Sequence, residues 1–181
     1  MGFLFRPKEL PRPASLTFTL DQAGHTYDDG HVGLAPTDIT ISELRVAVIG
    51  LNGAGKSTLL GLLDGSLKAN AGTVTIAGGE ERLDPAVKKD AKRIDNLVGK
   101  VRREEIPNSF YQAANISEAV SEALKKHKVP ESERHARIGN LFAHFDLAQV
   151  SKAKAGELDS EKRHLLAIAA ALSFEPSAIV A

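Results

Sequence analysis

Residues Gly50, Leu51, Asn52, Gly53, Ala54, Gly55, Lys56, Ser57 and Thr58 form an unbroken G-x-x-x-x-G-K-[ST] run with a second hydroxyl behind it. Each residue type suits one part of holding a phosphate chain. Glycine lets the backbone curl and come close, because it has no Cβ and tolerates positive φ. A curled backbone turns the amides of residues 53–58 inward as a nest of donors. A helix starting near Lys56 adds its positive dipole end. The Lys56 ammonium can reach the β- and γ-phosphates, the Ser57 hydroxyl can hold Mg²⁺, and Thr58 can bond the α-phosphate. The plainer reading is a glycine-rich strand-to-helix turn. At ordinary residue frequencies a chance match in a chain this long is on the order of one per cent, so phosphate binding is preferred.

That chemistry needs a strand before the loop and a helix after it. Arg45–Ile49 (RVAVI) reads as a buried strand, and Lys56–Leu67 as a helix with a leucine face. Leu16–Leu20 and Gly33–Ile41 supply earlier strands, joined through the turn at Asp28-Asp29-Gly30. Gly72–Ala77 alternates as another. Asp84–Arg93 reads as a charged helix with Pro85 in its first turn, and Asn96–Val101 as a strand. Asn115 and Glu118 have capping-box spacing before a helix that Pro130 breaks. Glu133–Phe145 and Glu161–Leu172 are the next helices, and Ala178–Ala181 starts a buried strand. The order is that of an α/β protein with a helical insertion.

The bulk composition agrees. The chain has 181 residues, 43% hydrophobic and 25% charged, with 23 basic and 23 acidic side chains. It reads as a globular domain with no basic excess, so nucleic acid is not an expected partner. It has no cysteine, which excludes disulfides and thiolate zinc sites. No apolar run approaches the length of a membrane span. MGFLFRPKELPRP reads as a surface tail rather than a leader, which makes the chain cytoplasmic unless a partner holds it at a membrane.

The variant GLNGAGKSTLL resembles the Walker A loop of ABC-type ATPases. HTYDDGHVGLAPTDITISELRVAVIG resembles the opening of that family, AGTVTIAG its following strand, and EKRHLLAIAAALSFEPSAIVA its signature helix. The pattern is most similar to energy-coupling-factor ATPases. The resemblance implies a P-loop NTPase core with an N-terminal antiparallel β subdomain and a helical insertion, incomplete at its C-terminus. It divides the chain into a tail, 1–14, and an ABC-type nucleotide-binding domain, 15–181. Within that domain fall a β/P-loop core (15–102), a helical subdomain (103–157), and the signature helix with the start of the Walker B strand (158–181).

The same resemblance implies ATP and Mg²⁺ as cofactors, with Tyr27 stacked on adenine. It implies transmembrane transporter subunits and a second ATP-binding subunit as partners, in a homodimer or heterodimer at the cytoplasmic face of the membrane. The expected function is an ATP-binding subunit coupling ATP hydrolysis to transport. The sequence departs from the family in two places. Arg103 falls where a glutamine contacts Mg²⁺ and water, with Gln112 offset nearby as a surface amide. Leu158, Asp159, Ser160, Glu161 and Lys162 fall on the LSGGQ positions, with Asp159 for the serine and Glu161 for a glycine. A carboxylate about 4 Å from a phosphate charge costs on the order of 4 kcal/mol at an effective dielectric near 20. Ordinary first-turn helix chemistry, which Asp, Ser and Glu all suit, is the preferred reading of these residues. Glu104 and Glu105 read as a solvated loop, and His127, His135, His144 and His164 as solvated helix positions.

The Walker B aspartate and the glutamate beside it would follow AIVA181. No catalytic residue is therefore identifiable, and the polypeptide alone is expected to be inactive although the family is an ATPase. The alternative reading is a non-catalytic or degenerate nucleotide-binding module with a weak site. A small kinase or a GTPase is a more distant third.

Overall fold

The computed structural model describes residues 15–79, 81–102 and 106–181. The tail at 1–14, Arg103 and the pair Glu104-Glu105 lie outside them. Leu16, Phe18 and Leu20 point inward along β1 (Leu16–Thr26), as their alternation requires. β2 (Val32–Ile41), β3 (Ala71–Gly78) and β4 (Glu81–Leu83) complete an antiparallel sheet in the order β2-β1-β3-β4. Helix α1 (Lys56–Leu63) lays Leu62 and Leu63 into the same apolar cluster as Leu20, Val74 and Ile76. That cluster is the first core.

The second core is helical. After α2 (Lys88–Leu97), β5 (Val98–Lys100) and α3 (Asn108–Gln112), helices α4 (Ile116–Lys126), α5 (Glu131–His144) and α6 (Ser160–Ser173) pack on one another. Their seam contains Ile116, Val120, Leu124, Ile138, Phe142 and Leu166. On α4 the buried residues recur at three- and four-residue steps, so one face serves the core. The Asn115 side chain accepts from the Glu118 amide at 2.9 Å, which is one half of the expected capping box. The chain returns through β6 (Ala178–Val180), parallel to β5.

The sequence reading does not include β4 or α3, and it places Asn96 and Leu97 in a strand rather than in α2; three further elements differ from it. Arg45–Ile49 forms no strand, and Val46, Val48 and Ile49 are 52, 36 and 93% exposed. A cavity of about 500 Å³ lies between this segment and β6, whose strand partner among the described residues is β5. Apolar β-branched residues suit a buried strand, but a strand needs a ladder partner within reach. Helix α1 stops at Leu63 rather than Leu67. There the buried Asp64 carboxylate turns to accept from the Ser66 amide at 2.8 Å and pairs with Arg102. Helix α2 begins at Lys88, because Asp84 instead closes a turn by accepting from the Ala86 amide at 2.7 Å. Pro85 sits in that turn.

His127, expected on a solvated face, is half-buried at the end of α4. Its ring stacks on Phe174 with centroids 3.8 Å apart, and Nδ1 lies 2.9 Å from the Asn96 amide oxygen. Burial lowers its pKa below 6.5, Lys126 lowers it further, and Asp95 opposes the shift. As pH falls, the unfolded imidazole therefore takes up its proton before the folded one. This residue's contribution is complete above about pH 6.5 and is lost as pH drops from there through the lower folded value. Urea unfolding at about pH 7.5 and about pH 5.5 should show a smaller drop in midpoint for His127→Gln than for the parent. Equal drops would contradict the account.

Candidate phosphate-binding site

The loop is built where β2 and α1 approach each other. A Cβ on Gly55 would lie 2.5 Å from the Gly33 carbonyl oxygen, so only glycine allows the loop to rest on the strand. Gly55 also has φ +82°, and Gly53 has φ +83°, in the left-handed region. A Cβ on Gly33 would in turn lie 2.5 Å from the Tyr27 ring and 2.8 Å from Thr58 Oγ1. Tyr27, the loop and α1 thus meet over Gly33. Between the glycines, the Ala54 amide donates to the Leu51 carbonyl at 3.2 Å and tightens the turn.

The polar groups are arranged for an anion. No side chain caps α1, and its first turn holds no acid. The first-turn amides have no intrahelical partner. Lys56 Nζ donates to the Gly50 and Leu51 carbonyls at 2.9 and 2.7 Å, which holds the ammonium across its own loop. Ser57 is exposed at the helix start. Thr58 is buried, and its hydroxyl lies 3.0 Å from the Tyr27 hydroxyl. Leu51 and Asn52 are exposed at the rim. These positive and amide groups fit a phosphate chain. A free hydroxyl oxygen at Ser57 beside that chain fits Mg²⁺, which takes few protein ligands and shares phosphate oxygens.

Residues 158–162 are elsewhere. Leu158 is buried in the helical core. Asp159 is the cap of α6 and accepts from the Lys162 amide at 2.7 Å. Ser160 and Glu161 are exposed in the first turn, and Lys162 Nζ lies 3.3 Å from the Asp146 carbonyl. Among the described residues, no hydrogen bond or ion pair joins this group to the loop at 50–58. Gln112 is exposed at the end of α3.

The family model described as ABC transporter matches residues 37–181. The chain belongs to the ABC transporter family. It is 33% identical over 161 residues to an ABC transporter ATP-binding protein of Deinococcus radiodurans, covering 89% of this chain and 67% of that one. It is 27% identical over 135 residues to an energy-coupling factor transporter ATP-binding protein of Ligilactobacillus salivarius, covering 75% and 45%. Similar solved structures include cbiO1 from Clostridium perfringens, part of the ABC transporter complex cbiONQ. There the TM-score is 0.70 at 24% identity, over 92% of this chain and 64% of that one. A dimeric ATP-binding cassette bound to ADP and phosphate after hydrolysis gives a TM-score of 0.74 at 23% identity, over 90% and 72%. The chain spans 45 to 67% of the length of these two curated relatives. The fold is that of an ABC ATPase core, and ATP hydrolysis is the general activity of the family.

Two features of this ABC-type site escaped the sequence reading. Gly33 carries only a strand start in the sequence, although glycine inside an alternating run signals close backbone approach. His25 and His31, either side of Tyr27, gave no signal at all. The remaining histidines divide: His135 and His144 are exposed as expected, whereas His164 is half-buried with Nδ1 shielded and without a hydrogen-bond partner among the described residues.

Asp159 acts here as a helix cap. Asp159→Ala should lower the unfolding free energy by about 1 kcal/mol, and Asp159→Asn should recover most of it. Equilibrium urea denaturation checks this; an Ala variant as stable as the parent would remove the capping role.

Proposed function

We propose that the chain binds Mg-ATP and that, in the full-length assembly, it is an ATP-binding subunit coupling hydrolysis to membrane transport. The observation that carries this reading is the uncapped start of α1, pressed against Gly33, with Lys56 folded over the loop. When a phosphate chain enters, Lys56 exchanges the Gly50 and Leu51 carbonyls for β- and γ-phosphate oxygens. The amides of residues 53–58 surround those oxygens, and Tyr27 lies under the adenine. Ser57 is the residue that would hold Mg²⁺, which when bound offsets phosphate charge in phosphoryl transfer. The exposed loop favours a site that a second subunit completes.

The named relatives support transmembrane subunits as partners and pairing of ATP-binding subunits. They favour the transporter reading over a stand-alone regulatory module. Among the described residues no helix is long and apolar enough to cross a membrane, which suits a peripheral subunit at the cytoplasmic face. Residues 15–102 form the β/P-loop core in this reading, 103–157 the helical subdomain, and 158–181 the signature helix and first part of the Walker B strand.

Calorimetric titration with Mg-ATP tests the reading. The parent should bind, and Lys56→Ala should bind at least about tenfold more weakly, the worth of a charge-assisted contact. A parent that binds no Mg-ATP, or a Lys56→Ala variant of equal affinity, would overturn it.

A further inference from the structure

The tip of the β1–β2 hairpin places a second ring opposite Tyr27. The Tyr27 amide donates to the His31 carbonyl at 2.8 Å, and the Gly30 amide to the Tyr27 carbonyl at 2.9 Å. The His31 amide donates to Asp29 Oδ1 at 2.9 Å. These bonds fix residues 27 and 31 as neighbours across the turn. Their rings are nearly parallel, 19° apart, with centroids separated by 6.1 Å.

The two rings are held very differently. Tyr27 is held on three sides: Gly33 lies beside it, its hydroxyl is 3.0 Å from that of Thr58, and His25 packs against it in a T-shape with ring centroids 4.6 Å apart. His25 is itself anchored, with Nδ1 2.8 Å from the Lys68 carbonyl. His31 is exposed, and among the described residues no side-chain hydrogen bond holds its ring. One jaw is rigid and the other can swing. A planar ring between two stacked faces needs a contact layer of about 3.5 Å on each side, so His31 must swing outward to admit one.

We propose that His31 and Tyr27 form a two-sided clamp that takes a purine base between their rings, with His31 as a base-selecting residue. The inference rests on the reading that residues 50–58 hold the phosphates of the same nucleotide. The Tyr27–Thr58 contact ties the clamp to the first turn of α1, which carries Lys56 and Ser57. Base and phosphates are thereby held by one connected unit. Stacking on both faces favours the larger purines over pyrimidines, because the gain follows overlapped ring area.

The test compares Mg-ATP, Mg-CTP and inorganic tripolyphosphate as ligands of the 181-residue chain and of its His31→Ala and His31→Phe variants. His31→Ala should bind Mg-ATP roughly tenfold more weakly, the loss of one base–aromatic stack, and lose preference over Mg-CTP. Its tripolyphosphate affinity should equal that of the parent, and His31→Phe should restore Mg-ATP binding. An Ala variant that binds Mg-ATP within about twofold of the parent overturns the clamp. So does a variant that loses tripolyphosphate to the same degree. A parent that binds tripolyphosphate as tightly as Mg-ATP leaves the phosphate site standing and removes the clamp. A parent that binds neither removes both.

Discussion

Backbone touches backbone between Gly33 and Gly55, and most of the site depends on that contact. With a side chain at either position the loop could not rest on β2, since a Cβ on Gly55 would stand 2.5 Å from a carbonyl oxygen that belongs to rigid backbone. The consequences spread outward. The approach sets where α1 begins and how near Tyr27 lies to Thr58. It also sets which way the first-turn amides face. Lys56 and Ser57 then sit at the mouth of the loop because they are the first residues of that helix.

The other end of α1 is fixed by different physics. Asp64 is fully buried and would be unstable there alone, but it pairs with Arg102 and accepts from the Ser66 amide at 2.8 Å. Removing one partner of such a pair costs about 3–5 kcal/mol, mostly the penalty of a stranded charge. The phosphate helix is thus held by close approach at its start and by an ion pair at its finish. Arg102 lies just after β5, so the pair ties the end of α1 to the end of that strand. His127, at the end of α4, bridges Asn96 of α2 and Phe174 at the end of α6.

Much of this was legible in residue types. The glycines, Lys56 and hydroxyls announced the loop because each type does one chemical job at one spacing. Asp159 could be read as a cap, since a short carboxylate before an apolar periodic run suits that position. What stayed hidden depended on partners distant in sequence. RVAVI has the composition of a buried strand, yet its exposure is decided by whether another strand lies beside it. His127 carries no local sign that Phe174 and Asn96 will enclose it. The ring pair at Tyr27 and His31 follows from the register of a three-residue turn, which hydrophobic patterning does not specify.

The central claim is that the backbone of this loop, set by Gly33 and Gly55, receives a phosphate chain. Amide proton shifts measured by NMR on the labelled chain test it most directly. Adding Mg-ATP should move the amides of Gly53, Gly55, Lys56 and Ser57 downfield, as donors to charged oxygens do, and should leave those of α4 and α5 in place. Shifts centred elsewhere, with the loop amides unmoved, would contradict the account.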